Sequence, residues 1–195
     1  MPVGSPFGNQ PGPVTFAIDE DVPVWVRVEK WMIVDGEQPL PTAGSALRSA
    51  GLRVRGAVTG AGNATPDGVV EVQRAAAAGQ PGRVYAITGV VGNAKDVFVG
   101  TGRPRVRHRR VGAEFLLTVG EDRFHVSFDG RGADVTPDSR VTVTGELELL
   151  GEYEWEAFDL IDTRADWRVA DVARLPNGDV LVDITRAQDD EPRAT

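Results

Sequence analysis

Cysteine is absent from the 195 residues, which excludes disulfides and thiolate metal sites. Histidine is almost absent too. His108 and His125 are the only two, too few for a multi-histidine metal centre within one chain. No apolar run approaches the roughly 20 residues a helix needs to cross a bilayer. The first residues are rich in Pro and Gly and lack the apolar stretch of a secretion signal. A cytoplasmic protein without a membrane partner is therefore expected. Lysine is scarce as well: apart from Lys30 and Lys95, 19 of the 21 basic residues are arginine. With abundant Ala, Gly, Val and Asp, this composition resembles a GC-rich coding bias, so an arginine cluster carries less meaning here than it would elsewhere.

What is present is ordinary for a globular protein: 41% hydrophobic and 26% charged residues. Glycine (23) and proline (13) fall between short apolar runs, the pattern of short strands joined by turns. Period-2 alternation is clear in three places. Phe115, Leu117 and Val119 alternate with Glu114, Leu116 and Thr118. Phe124, Val126 and Phe128 alternate with Arg123, His125 and Ser127. Val141, Val143, Gly145, Leu147 and Leu149 alternate with Thr142, Thr144, Glu146 and Glu148. Such alternation turns one set of side chains into a core and the other toward solvent. The expected fold class is all-β.

Along the chain, residues 1–13 read as a flexible arm and 14–73 as a small β-rich domain or subdomain. A strand is expected over 22–34, a short helix over 42–50 capped by Thr42 and stopped by Gly51, then strands at 52–58 and 69–73. Residues 74–83 read as a linker. Residues 84–186 form the second β-rich unit, with strands at 84–91, 97–100, 152–161, 167–174 and 180–184 besides the alternating ones. Asn177-Gly178 suits a type I′ hairpin turn. Residues 187–195 read as a polar tail. Val54-Arg55-Gly56 echoes Val143-Thr144-Gly145. The echo leaves two arrangements open: a first half that is a smaller related barrel, or one that pairs onto the second half.

Four segments carry a family resemblance. They are Ile87-Thr88-Gly89-Val90-Val91-Gly92-Asn93, Ala113-Glu114-Phe115-Leu116-Leu117, Phe124-His125-Val126, and Ser139-Arg140-Val141-Thr142-Val143-Thr144-Gly145-Glu146-Leu147. Their order over about 85–172 resembles an oligonucleotide/oligosaccharide-binding (OB) barrel, and within that fold is most similar to the single-stranded-DNA-binding proteins. In such barrels a glycine like Gly145 lets the strand coil around a corner. The segment 130–138 is short and contains Pro137, so it leaves little room for the helix those proteins carry there.

The net charge of −8 is unevenly spread. Residues 1–80 carry −2, residues 81–145 carry +3, and residues 146–195 carry −9. Within the basic middle, Arg103, Arg105, Arg107, Arg109 and Arg110 crowd into eight residues. The resemblance puts them in a barrel's first long loop, where guanidinium groups can track phosphates. Arg123, His125 and Trp155 complete the expected nucleic-acid contacts, with His125 read as the one flat ring on its outward face. Alternating Glu152, Glu154 and Glu156 have the spacing of paired carboxylates, but an enclosed site with a raised pKa is needed for glycosidic chemistry. A solvated edge strand is the simpler reading. No Gly-x-Ser-x-Gly or phosphate-loop lysine pattern occurs. Trp25 and Trp31 read as core. The expectation is a non-catalytic OB-like module, without cofactor or metal, whose best-named ligand is single-stranded nucleic acid. The alternative is an assembly protein whose basic loop and acidic C-terminal third make a homo-oligomer or bind a protein partner.

Overall fold

The computed structural model describes residues 23–62, 64–72, 83–99, 109–129, 135–151 and 163–187, with backbone alone at 96–99, 109–111 and 129. The N-terminal arm, most of the expected linker, the polar tail and residues 152–162 lie outside these. Among the described residues the order is β1 (Val24–Val28), α1 (Lys30–Val34), β2 (Ala46–Gly60), β3 (Gly68–Val72), β4 (Val84–Val99), β5 (Arg109–Val119), β6 (Asp122–Asp129), β7 (Arg140–Leu150), β8 (Ala165–Arg174) and β9 (Val180–Arg186). The protein is all-β, with one short helix. That helix is too short to cross a membrane.

All nine strands belong to one sheet, and eight of them close into a ring. The pairing of β2 with β7 divides that ring into two circuits of five strands. One runs β4-β5-β6-β2-β7 and returns to β4; the other runs β8-β9-β1-β7-β2 and returns to β8. Each has four antiparallel pairings and one parallel pairing, β6 with β2 in the first and β1 with β7 in the second. Strand for strand the circuits have the same pattern, with β2 and β7 exchanging places. The first half of the chain thus pairs onto the second. β3 stands outside the ring and, among the described residues, pairs only with β4.

A single buried apolar cluster runs through both circuits. The alternating residues supply it as their period requires. Phe115, Leu117, Phe124, Val126 and Val143 are all but fully buried, and so are Val26, Val28, Val182 and Ile184. Burying each such side chain is worth about 1.5–3 kcal/mol. Phe115 meets Phe128 edge to face, with ring centroids 6.2 Å apart. Tyr85 of β4 joins the two circuits: its hydroxyl accepts a hydrogen bond from the Trp25 backbone N–H of β1 at 2.7 Å. Burial pushes that phenol up to about 12.

Four local expectations are corrected. The strand expected over 22–34 stops at Val28, and α1 follows. Within α1, Met32 is the buried residue, and Trp31 and Ile33 pack against the core beside it. The helix expected over 42–50 is instead a turn leading into β2. Ser45 N–H donates to the Thr42 carbonyl, and Gly44, at φ +84°, turns the chain. Backbone bonds from Gly44 N–H to Val169 O and from Val169 N–H to Ser45 O then draw the segment alongside β8. Leu47 comes opposite Trp167, whose indole N–H donates to Ala50 O at 2.9 Å. The turn at 175–179 is not type I′. Pro176 holds a negative φ at the first central position, which type I′ forbids. Gly178 N–H donates to Leu175 O, and Gly178 alone takes positive φ, +94°. That is a type I turn followed by a glycine bulge. Trp31 packs on the core as expected, whereas Trp25 is half-buried beneath the Arg83 guanidinium, 5.4 Å from its ring centroid.

The two echoing glycines are partners: Gly56 faces Gly145 across β2 and β7. A Cβ on Gly145 would lie 2.2 Å from the Arg55 carbonyl oxygen, and one on Gly56 would lie 2.0 Å from that of Thr144. The strands coil so closely here that only glycine fits. Gly145→Ala is expected to destabilise the fold by about 3 kcal/mol, the upper part of the overpacking range. Gly92→Ala is the control, since its Cβ would meet nothing nearer than 3.9 Å. Urea unfolding of both variants checks this, and equal midpoints would remove the argument.

Candidate functional site

β4 and β5 form a long hairpin, paired from Val90 with Thr118 out to Val99 with Arg109. Register shifts after Gly92 and after Val97 bend its far end. Arg109 and Arg110 occupy the first positions of β5, opposite Val99 and Phe98. The segment 100–108, with Arg103, Arg105 and Arg107, connects these two strands in sequence. It lies outside the described residues, as do Trp155 and Glu152, Glu154 and Glu156.

The outward face of β5 and β6 follows from pairing and burial. Thr118 faces Arg123, Leu116 faces His125, and Glu114 faces Ser127. Arg123 is exposed, as expected. His125 corrects the expectation of an outward-facing flat ring. It is 4% exposed, so no base can stack on it. The cause is the parallel neighbour on its other side, since β2 places Arg53 directly beside it.

That neighbour opens a row of charged groups the alternation did not reveal. Arg53 and Glu148 are partners across β2 and β7, and both are buried. The Arg53 Nε and Nη2 donate to Glu148 Oε2 at 3.1 and 2.8 Å. Arg55, two residues on, reaches the same oxygen only at 3.6 Å with more than half its side chain exposed. On β1, Arg27 lies opposite Glu148 and donates to Glu146. Beyond His125, the Glu114 carboxylate comes within 4.0 Å of its Nε2. Neither His125 nitrogen has a hydrogen-bond partner. Burial first, and the Arg53 charge second, push the imidazole down to about 4. The sequence did hold one signal for this row: Arg53 and Arg55 sit at alternate positions of a strand, facing Glu146 and Glu148 in a second strand of matching pattern.

A second charged contact ties the circuits together, Arg186 of β9 donating to Asp122 of β6. Burial raises the Asp122 carboxyl, with Arg186 opposing the rise. Among the described residues no three His, Asp or Glu side chains are grouped to hold a metal ion. On the β5–β6 face the described side chains offer one exposed guanidinium and the hydroxyls of Thr118 and Ser127. Such groups suit phosphate and sugar contacts better than ring stacking. No family model matches the chain, and neither does any curated protein or solved structure.

Proposed function

We propose that the protein is a non-catalytic OB-like module that binds single-stranded nucleic acid through the β4–β5 hairpin end and the β5–β6 face. The observation that carries this reading is the circuit β4-β5-β6-β2-β7. An OB barrel has five strands, and its ligand lies on the second and third, under the loop joining the first two. With β4, β5 and β6 as the first three strands, that loop is the arginine-rich segment 100–108, running into Arg109 and Arg110. The fifth strand is then β2, which precedes the other four in the chain. Arg123 extends the basic character onto the face itself. Because His125 is covered, contacts run to the phosphate backbone, and binding is indifferent to base sequence.

Anisotropy of a labelled single-stranded oligonucleotide, titrated across salt, tests the proposal. Binding is expected to weaken steeply as salt rises. Converting Arg105, Arg107 and Arg109 together to Ala is expected to lower the log–log salt slope by about 2, from roughly 0.7 per lost phosphate contact. Absence of binding at low salt, or a triple variant with an unchanged slope, rules the proposal out.

A further inference from the structure

The outer face of the sheet away from the β5–β6 hairpin is continuous across β3, β4, β7 and β2. Val72 faces Val84, Val84 lies one step along β4 from the Tyr85–Gly145 pair, and Arg55 faces Glu146. A cleft of about 690 Å³ opens on this face, bordered by Arg27, Arg55, Val72, Val84, Glu146 and Glu148. That volume is within the range of sites for small organic molecules. Gly56 and Gly145 also line it and contribute only backbone, and Ala57 beside them adds only a methyl group. The absence of bulk there has a cause already given: the two strands approach too closely for any Cβ at either glycine.

The charges bordering the cleft balance in number but are not equally engaged. Both carboxylates are engaged, Glu148 by the two donors of Arg53 and Glu146 by Arg27. Arg55 remains 57% exposed, its nearest carboxylate oxygen 3.6 Å away and already shared. Arg27 keeps a buried Nε–H with no acceptor. The two guanidinium groups and two carboxylates on the border match in number, but Arg53 takes up Glu148 from behind, which leaves the Arg55 guanidinium open to an anion. An anion on Arg55 would satisfy it. A second negative charge would meet Glu146 and Glu148. The valine walls and the bare glycine backbone suit a flat apolar body.

We infer that this cleft binds a small planar aromatic monoanion, its anionic group on Arg55 and its ring against Val72, Val84 and the glycine pair. The site is separate from the hairpin proposed for nucleic acid, and either can fail without the other. A ring carrying one carboxylate and a ring carrying one singly charged phosphate share this chemistry.

The test titrates the full chain with 1-anilinonaphthalene-8-sulfonate, a fluorescent aromatic monoanion. Saturable binding of one equivalent is expected. Arg55→Gln is expected to weaken it at least tenfold. Ala57→Trp, at an exposed position, should fill the cleft and remove binding. Thermal melting of both variants near the parent's establishes that they fold. Displacement by indole-3-carboxylate identifies a carboxylate ligand, and displacement by a 3′,5′-cyclic mononucleotide a phosphate one. Displacement by neither overturns the inference. So does non-saturating binding, or binding that both folded variants leave unchanged.

Discussion

Replacing Glu148 by Ala is expected to destabilise the protein by about 3–5 kcal/mol, the usual effect of removing one partner from a buried ion pair. Arg53 is 5% exposed and its two hydrogen bonds to a charged group run to Glu148 Oε2. Without that carboxylate the guanidinium stays buried and loses both of these charge-assisted hydrogen bonds. The exposed Arg55 cannot compensate, since it carries the same charge. For a chain of this length the loss corresponds to a fall in Tm of roughly 10 °C. The double variant Arg53→Met/Glu148→Leu removes both charges and fills similar volume. Its stability is expected to return to within about 1 kcal/mol of the parent, or to exceed it. Urea unfolding of the parent and the two variants at pH 7.5 decides the matter. A Glu148→Ala protein within 1 kcal/mol of the parent would mean that water reaches the pair.

The second large effect is a loss of stability in mild acid. His125 is pushed down to about 4 in the folded protein, against about 6.5 in an unfolded chain. The unfolded chain therefore binds the proton more tightly between those values. His125 contributes its full stability above about pH 6.5 and loses it as pH falls toward 4, a change of about 3 kcal/mol. Arg53 on β2 opposes the imidazolium, and the Glu114 carboxylate on β5 lies 4.0 Å from its Nε2. Asp122 and Asp183, whose carboxyls are raised by burial, act with the opposite sign, because the folded state holds their protons more tightly. The measurement is therefore a difference. Unfolding free energy is followed from pH 7.5 to 4.5 for the parent and for His125→Phe. The parent is expected to lose about 3 kcal/mol more than the variant, and parallel curves would show that His125 titrates normally.

Local pattern was sufficient wherever a strand's neighbours were close in sequence. β5 and β6 are joined by a two-residue turn, so their shared alternation gave strand, face and partner together. Gly56 and Gly145 were legible as an echo because both meet the same requirement, a seam without side chains. The failures came from partners far away. Nothing within residues 42–50 says that Leu47 will lie opposite Trp167, and without that pairing an Ala- and Ser-rich stretch after Thr42 looks helical. His125 was misread for the same reason. Its own strand places it outward, and only the parallel approach of β2 brings Arg53 alongside to cover it. The cleft is further removed still, since four strands from both halves of the chain must come together before Arg27, Arg55, Val72 and Glu146 share a border.

The β2–β7 seam also fixes when the molecule can assemble. Both circuits use it, and its two sides are separated by the whole of β3 to β6. Contacts that distant are formed only after a large loss of chain entropy, which slows folding. A chain emerging during synthesis can make the β3–β4 and β5–β6 hairpins early. It closes neither ring until residues 140–150 have appeared. Up to then the edge of β2 that receives β7 stays unpaired and could recruit another nascent chain. Once β7 arrives, the first circuit is complete, and β8 and β9 have only to complete the second. Cutting the chain between β6 and β7 would leave open sheets on both sides of the break, with no closed ring on either.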